Sequence, residues 1–162
     1  MALKLILKCS KALSDRKLTI AFAESATSGR LCAEFSLTPE SGNVLKGGIV
    51  CYNASVKEEI LKVPVPLILK HTPESPEVTE KMAIGLKKLM KSDIHIAITG
   101  LTTSGGSETP EKPVGTMFIH FLMDNKSIAL RMQFKGRANE IIRKTVNSVA
   151  QLILGELKIK SL

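Results

Sequence analysis

Two stretches of this sequence hold residue types that could grip an anion through the backbone. The first is Glu24-Ser25-Ala26-Thr27-Ser28-Gly29, small hydroxyl side chains between a short apolar run and an amphipathic segment. Such a turn at the start of a helix leaves peptide N–H groups unpaired and favours negative charge. The second is the segment 101–113, with Thr102, Thr103, Ser104, Gly105, Gly106, Ser107, Pro110 and Pro113 between apolar runs at 94–98 and 114–121. Gly105-Gly106 lets the backbone approach a ligand closely. A long loop leaving the C-terminal end of a buried strand is where open α/β sheets place their ligands. Each stretch also has a plainer reading. The first could be an ordinary helix start capped by Ser25 or Thr27, the second a surface turn between strands.

Composition narrows the chemistry. Cys9, Cys32 and Cys51 are widely spaced, contain no C-x-x-C, and form no ligand pattern with His71, His95 and His120. Free thiols in a reducing cytoplasm, and no metal centre, are the expectation. Net charge is +8 and uneven: residues 1–81 carry 11 basic and 9 acidic side chains, residues 82–162 carry 12 and 6. A basic surplus suits an anionic small molecule or a nucleic acid. With no Trp and only Tyr52, no aromatic set interleaves with the cations, so nucleic acid is disfavoured. No apolar run reaches the roughly 18 residues of a membrane span. Lys4, Lys8 and Lys11 interrupt Leu5-Ile6-Leu7 at helical spacing, so residues 3–14 read as an amphipathic helix rather than a signal peptide.

The elements that must carry these stretches follow from periodicity. Residues 17–22 and 94–98 are short apolar runs, and residues 47–52 form a strand approached through Gly47-Gly48. Asn53 is placed to cap a helix over 54–61, and Pro39-Glu40-Ser41-Gly42 reads as a turn. Four prolines punctuate residues 63–76, leaving a loop with a short helix at 67–70. From Pro76, Val78, Met82, Leu86, Leu89 and Met90 recur at helical spacing. Residues 114–122 and 127–134 predict a hairpin, with Ile128, Leu130 and Met132 alternating, before a final helix from Arg137 to about Glu156. The 162 residues predict one α/β domain, a three-layer α/β/α sandwich around a mixed sheet.

Five separated stretches together resemble the CinA C-terminal domain family: residues 23–29 (AESATSG), 47–57 (GGIVCYNASVK), 76–83 (PEVTEKMA), 97–116 (AITG, then GG and EKPVGT) and 134–137 (FKGR). They keep the family's order and spacing over nearly the whole chain. The resemblance implies nicotinamide-nucleotide amidohydrolase activity: the carboxamide of nicotinamide mononucleotide is converted to the carboxylate with release of ammonia, in pyridine nucleotide salvage. It implies no cofactor, a nucleotide as the small-molecule partner, and commonly a homodimer. Lys57 matches the family's base and Tyr52 its tyrosine five residues earlier. Glu24, Ser25, Thr27 and Gly29 match a substrate-binding pattern, Thr99 and Gly100 the entry to the substrate loop, and Arg137 a basic position suited to phosphate. Gly105 and Gly106 fall within that loop. Ser41 stands in a turn, Glu40-Ser41-Gly42, where the family has Gly-Ser-Ser, which makes it the candidate nucleophile, with Ser25 second.

An amide is a poor electrophile, so the site needs a nucleophile, a base, oxyanion donors and a proton for ammonia. A serine activated by a neutral lysine meets those needs, provided the lysine is desolvated. Two other readings remain: a nucleotide- or partner-binding relative that no longer hydrolyses this bond, and a nucleic-acid-associated protein. Taken without the resemblance, Lys57 beside Glu58 and Glu59 reads as a solvated helix lysine. Tyr52 could simply finish a strand, and Arg137 could be an early-helix surface residue.

Overall fold

The uncharged apolar runs become the centre of the sheet and the alternating ones its edges. The structure is a computed structural model and describes residues 2–159. Strand β1 (Ile20–Glu24) is buried along its whole length, and β3 (Ile94–Gly100) and β4 (Thr116–Met123) nearly so. Strands β2 (Leu45–Val50) and β5 (Lys126–Gln133) alternate in burial, as half-covered edge strands do. The order is β2-β1-β3-β4-β5, with β1 parallel to β2 and β3 and the last two strands antiparallel. The expected hairpin is present: Met123 pairs with Lys126 across a turn in which Asp124 adopts φ 52.

Helices cover both faces. On one side α1 (Ala2–Asp15), α2 (Arg30–Ser36) and α7 (Ala138–Ile159) enclose a core containing Phe22, Phe35, Ile96, Phe121 and Val149. Phe22 and Phe35 meet at a centroid separation of 5.2 Å, within the range where aromatic pairs attract. On the other side α4 (Ala54–Glu59), α5 (Val65–His71) and α6 (Pro76–Leu89) pack over Ala21, Ala23 and Ala97, small residues that let the helices come close. Gly85 on α6 shows how close: a Cβ there would lie 2.1 Å from the Leu61 carbonyl oxygen. Among the described residues, no helix is long and apolar enough to cross a membrane.

Asn53 caps α4 as its position predicts, accepting the Ser55 N–H at 3.0 Å. Ser75 does the same for α6, with Pro76 in the first turn. Two local expectations are corrected. Residues Ser41–Val44 form a short helical turn, α3, rather than an open turn. No side chain of Ser25 or Thr27 caps the start of α2: the Arg30 N–H donates to the Thr27 carbonyl at 2.9 Å, and those of Leu31 and Cys32 to the Glu24 carboxylate at 3.1 and 2.9 Å.

The connections set the site. After β1 the chain turns to α2 on one face, and after β2 to α4 on the other. Neighbouring strands whose connections diverge leave a crevice at their C-terminal ends, where open α/β sheets bind ligands.

Candidate active site

Ser25 directly follows β1, and Lys57 lies in α4, the helix that follows β2, so both fall at that crevice. Lys57 is the surprise of the structure: it is 0% exposed, although the sequence pattern by itself reads as a surface lysine. The reason is local. Asn53 starts α4 shortly after the strand, and the helix aims the Lys57 side chain back at the Cys51 and Tyr52 backbone, while Glu58 is half-buried and Glu59 exposed. Its Nζ donates to Ser25 Oγ at 3.0 Å, to the Cys51 carbonyl at 2.8 Å and to the Tyr52 carbonyl at 3.2 Å.

Those three acceptors fill the three positions an ammonium offers, yet none is a carboxylate, and no salt bridge involves Lys57 among the described residues. Burial therefore pushes the Lys57 ammonium below the ordinary lysine value, with Cys51 and Glu74 acting in the opposite direction. A lysine shifted this way reaches its neutral, basic form more readily. Burial pushes the neighbouring Cys51 thiol up to about 11, so it stays protonated and packs as a small apolar group.

Ser25 forms one wall of a cavity of about 240 Å³, completed by Ala26, Tyr52, Glu74 and the loop from Gly100 to Gly106. Tyr52 is 65% exposed and holds its ring at the mouth. Gly100 is required where it stands: at φ 156, a Cβ would meet the Thr116 carbonyl oxygen at 2.7 Å. The expected glycine loop is thus at the site, but the Gly105 N–H is already engaged by the Glu108 carboxylate at 2.7 Å.

A second, larger cavity of about 610 Å³ lies on the other side of the 25–29 turn. Thr27, Gly29, Arg30, Arg137 and Arg143 contribute to its lining. Gly29 adopts φ 86, after Ser28 at φ 47, and this left-handed pair wraps the turn between the two cavities. The Thr27 hydroxyl there is buried and has no hydrogen-bond partner. Arg137 therefore does not share the Ser25 cavity. It is exposed, and Glu140 accepts its backbone N–H at 2.7 Å, capping the start of α7.

Three expected positions are corrected outright. Ser41 begins α3, ahead of the N-terminal end of β2, where Leu45 pairs with Ile20 at the start of β1. Ser25 and Lys57 stand past the opposite ends of those strands, about 16 Å away for a strand of this length. A parallel strand cannot bring both of its ends to one site, so Ser41 is not the partner of Lys57. Glu24 is 1% exposed and its two carboxylate oxygens are taken by α2. Thr99 is fully buried, its hydroxyl paired with that of Thr79 at 2.8 Å. Both tie helices to the sheet, and neither is part of the lining of the two cavities described above. Glu74 was not legible in the sequence. It sits in the proline-punctuated connection between α5 and α6, where no periodicity marks which residues turn inward.

The fold and site define an α/β protein with a serine–lysine pair at the C-terminal edge of a mixed sheet. Comparison with known proteins assigns the lineage. The family model of the CinA C-terminal domain matches residues 3–157, and the chain belongs to that family. A CinA-like protein of Prochlorococcus marinus (strain SARG) is 42% identical over 145 residues, covering 88% of this chain and 34% of the relative. A CinA-like protein of Thermotoga sp. (strain RQ2) is 41% identical over 129 residues, covering 80% and 31%. This chain thus spans about a third of the length of these relatives. The crystal structure of the competence damage-inducible protein A from Klebsiella pneumoniae superposes with a TM-score of 0.92 at 24% identity, covering 97% of each chain, a likeness of fold. A CinA superfamily structure from Enterobacter cloacae gives 0.90 at 25% identity, covering 97% and 92%.

Proposed function

We propose that this protein is a nicotinamide-nucleotide amidohydrolase that uses Ser25 as nucleophile and Lys57 as base. The observation that carries the reading is the 3.0 Å contact from a fully buried lysine to a serine at the wall of a cavity. Neutral Lys57 takes the Ser25 proton as Oγ attacks the carboxamide carbon. The tetrahedral oxyanion needs backbone donors, and the N–H of Ala26, next in the chain to Ser25, serves as one. Protonated Lys57 then gives its proton to the amide nitrogen, the C–N bond breaks and ammonia leaves. A water deprotonated by Lys57 attacks the resulting ester and releases the carboxylate nucleotide and Ser25. The larger cavity receives the phosphate end through Arg143 and the unpartnered Thr27 hydroxyl, while Arg30 and Arg137 in its lining are paired with Glu34 and Glu140.

The test is ammonia release from nicotinamide mononucleotide by the protein and by Ser25→Ala and Ser41→Ala variants. Loss of turnover on Ser25→Ala with retention on Ser41→Ala is expected. Turnover that survives Ser25→Ala refutes the assignment of the nucleophile. No turnover by the unsubstituted protein refutes the activity.

A further inference from the structure

One charged side chain among the described residues lines the serine–lysine cavity, and the mechanism above does not use it: Glu74. It is held from two sides. Its Oε2 accepts the Ser107 hydroxyl at 2.5 Å, tying it to the glycine loop. Lys112 binds across the same junction, donating to Ser107 Oγ at 2.8 Å, to Thr72 Oγ1 at 2.6 Å and to the Glu74 carbonyl at 2.9 Å. Thr72 is held at φ 70, a conformation a β-branched residue rarely adopts and one that needs such support. Its N–H donates to Ile68 and its carbonyl accepts from Ser75.

This network fixes the carboxylate beside the Lys112 ammonium, which it favours electrostatically, with the Ser107 hydroxyl between the two charges. Lys112 places its donors on two hydroxyls and a carbonyl, and no salt bridge involves Glu74 among the described residues. Ser107 occupies one of about four lone-pair positions on a carboxylate. A preorganised carboxylate, held between the Lys112 and Lys57 ammonium groups, therefore belongs to the lining of the cavity in which Ser25 meets its substrate. It is near enough to Lys57 to hold up that ammonium's charge.

Substrate and product of the proposed reaction differ only at the group Ser25 attacks. A carboxamide presents two N–H donors and no charge; a carboxylate presents a negative charge and no donor. An anionic acceptor in the wall binds the first and repels the second. Resting on the amidohydrolase reading, we infer that Glu74 is the specificity-determining residue that accepts an amide N–H of the substrate and expels the acid product.

The test uses the Ser25→Ala protein, so that the amide is not consumed, and calorimetric binding of nicotinamide mononucleotide and nicotinate mononucleotide. The amide is expected to bind more tightly than the acid. Adding Glu74→Gln, which keeps an acceptor for Ser107 and removes the charge, should tighten the acid on the order of 10-fold or more and erase most of the preference. Glu74→Asp should keep it. A measurement that needs no change at Glu74 uses 3-acetylpyridine mononucleotide, of similar shape but with no N–H and no charge at that group. It should bind Ser25→Ala on the order of 10-fold more weakly than the amide. An amide-to-acid ratio unmoved by Glu74→Gln, or equal binding of the amide and the acetyl analogue, overturns the role of Glu74 alone. Binding of none of the three nucleotides overturns the substrate reading beneath it.

Discussion

Replacing Lys57 with methionine separates what the lysine does for the fold from what it does for the reaction. The side chains are similar in length and volume, so the space Lys57 fills stays filled. Three hydrogen bonds are lost, of 3.0, 2.8 and 3.2 Å, to Ser25 Oγ and to the Cys51 and Tyr52 carbonyls. Leaving the buried Cys51 carbonyl without this donor costs about 1–3 kcal/mol, and the part-buried Tyr52 carbonyl less. Against this, a cation with no carboxylate partner leaves the interior, and the penalty for desolvating a charge is several kcal/mol. The terms are of similar size and opposite sign, so stability at neutral pH should change by no more than about 2 kcal/mol. Activity has no such compensation. Without the base, Ser25 must be deprotonated by water, and the rate should fall on the order of 100- to 10,000-fold. The assay pairs urea unfolding with ammonia release from nicotinamide mononucleotide. A Lys57→Met protein that keeps turnover within about tenfold of the original, where general-base loss predicts a larger drop, refutes the serine–lysine mechanism. One that loses both fold and turnover refutes the claim that the buried charge is a functional rather than a stabilising feature.

Other outcomes follow from the same geometry. In the active protein, kcat/KM should rise with pH along a limb set below the ordinary lysine value, since only neutral Lys57 is a base; Glu74→Gln should move that limb to lower pH by removing a charge that favours the ammonium. A limb unmoved by Glu74→Gln would mean that the two groups do not communicate. Gly85→Ala should destabilise the protein by about 3 kcal/mol in urea titration, because the new methyl meets the Leu61 backbone rather than a side chain able to move. His95 and His120 are buried, and burial holds both below the usual histidine range. The unfolded chain therefore binds protons first as pH falls, so stability is full above about 6.5 and is lost as pH drops below it, by at most about 1.4 kcal/mol per histidine per pH unit. Thermal unfolding across that window should show a slope that flattens in His120→Gln; an unchanged slope would place the titration elsewhere.

Sequence by itself determined much of the framework, because the residues that make each element are neighbours in the chain. The apolar runs at 94–98 and 114–122 mark β3 and β4, the second of which begins only at Thr116, and the alternation of Ile128, Leu130 and Met132 marks an edge strand. Asn53 announces the helix it caps, since capping reaches only two or three residues, and Pro76 with the spacing after it announces α6. The family resemblance rests on the same local strings and added Tyr52 and Lys57 to the hydroxyl turn at Ser25 and the glycine loop, which residue types alone had marked. Which of those residues meet was decided only by the sheet. Ser25 and Lys57 are 32 positions apart and touch because β1 and β2 run parallel, which brings their C-terminal ends together. The same parallel pairing removes Ser41 to the far end, although it is closer to Lys57 in sequence. Burial was likewise invisible locally. Lys57 is desolvated by strands and helices from both sides of it in sequence, and Glu74 faces the cavity because Ser107 and Lys112 hold it there from across the fold. Charge state and proximity are properties of long-range packing, and no spacing in the chain encodes them.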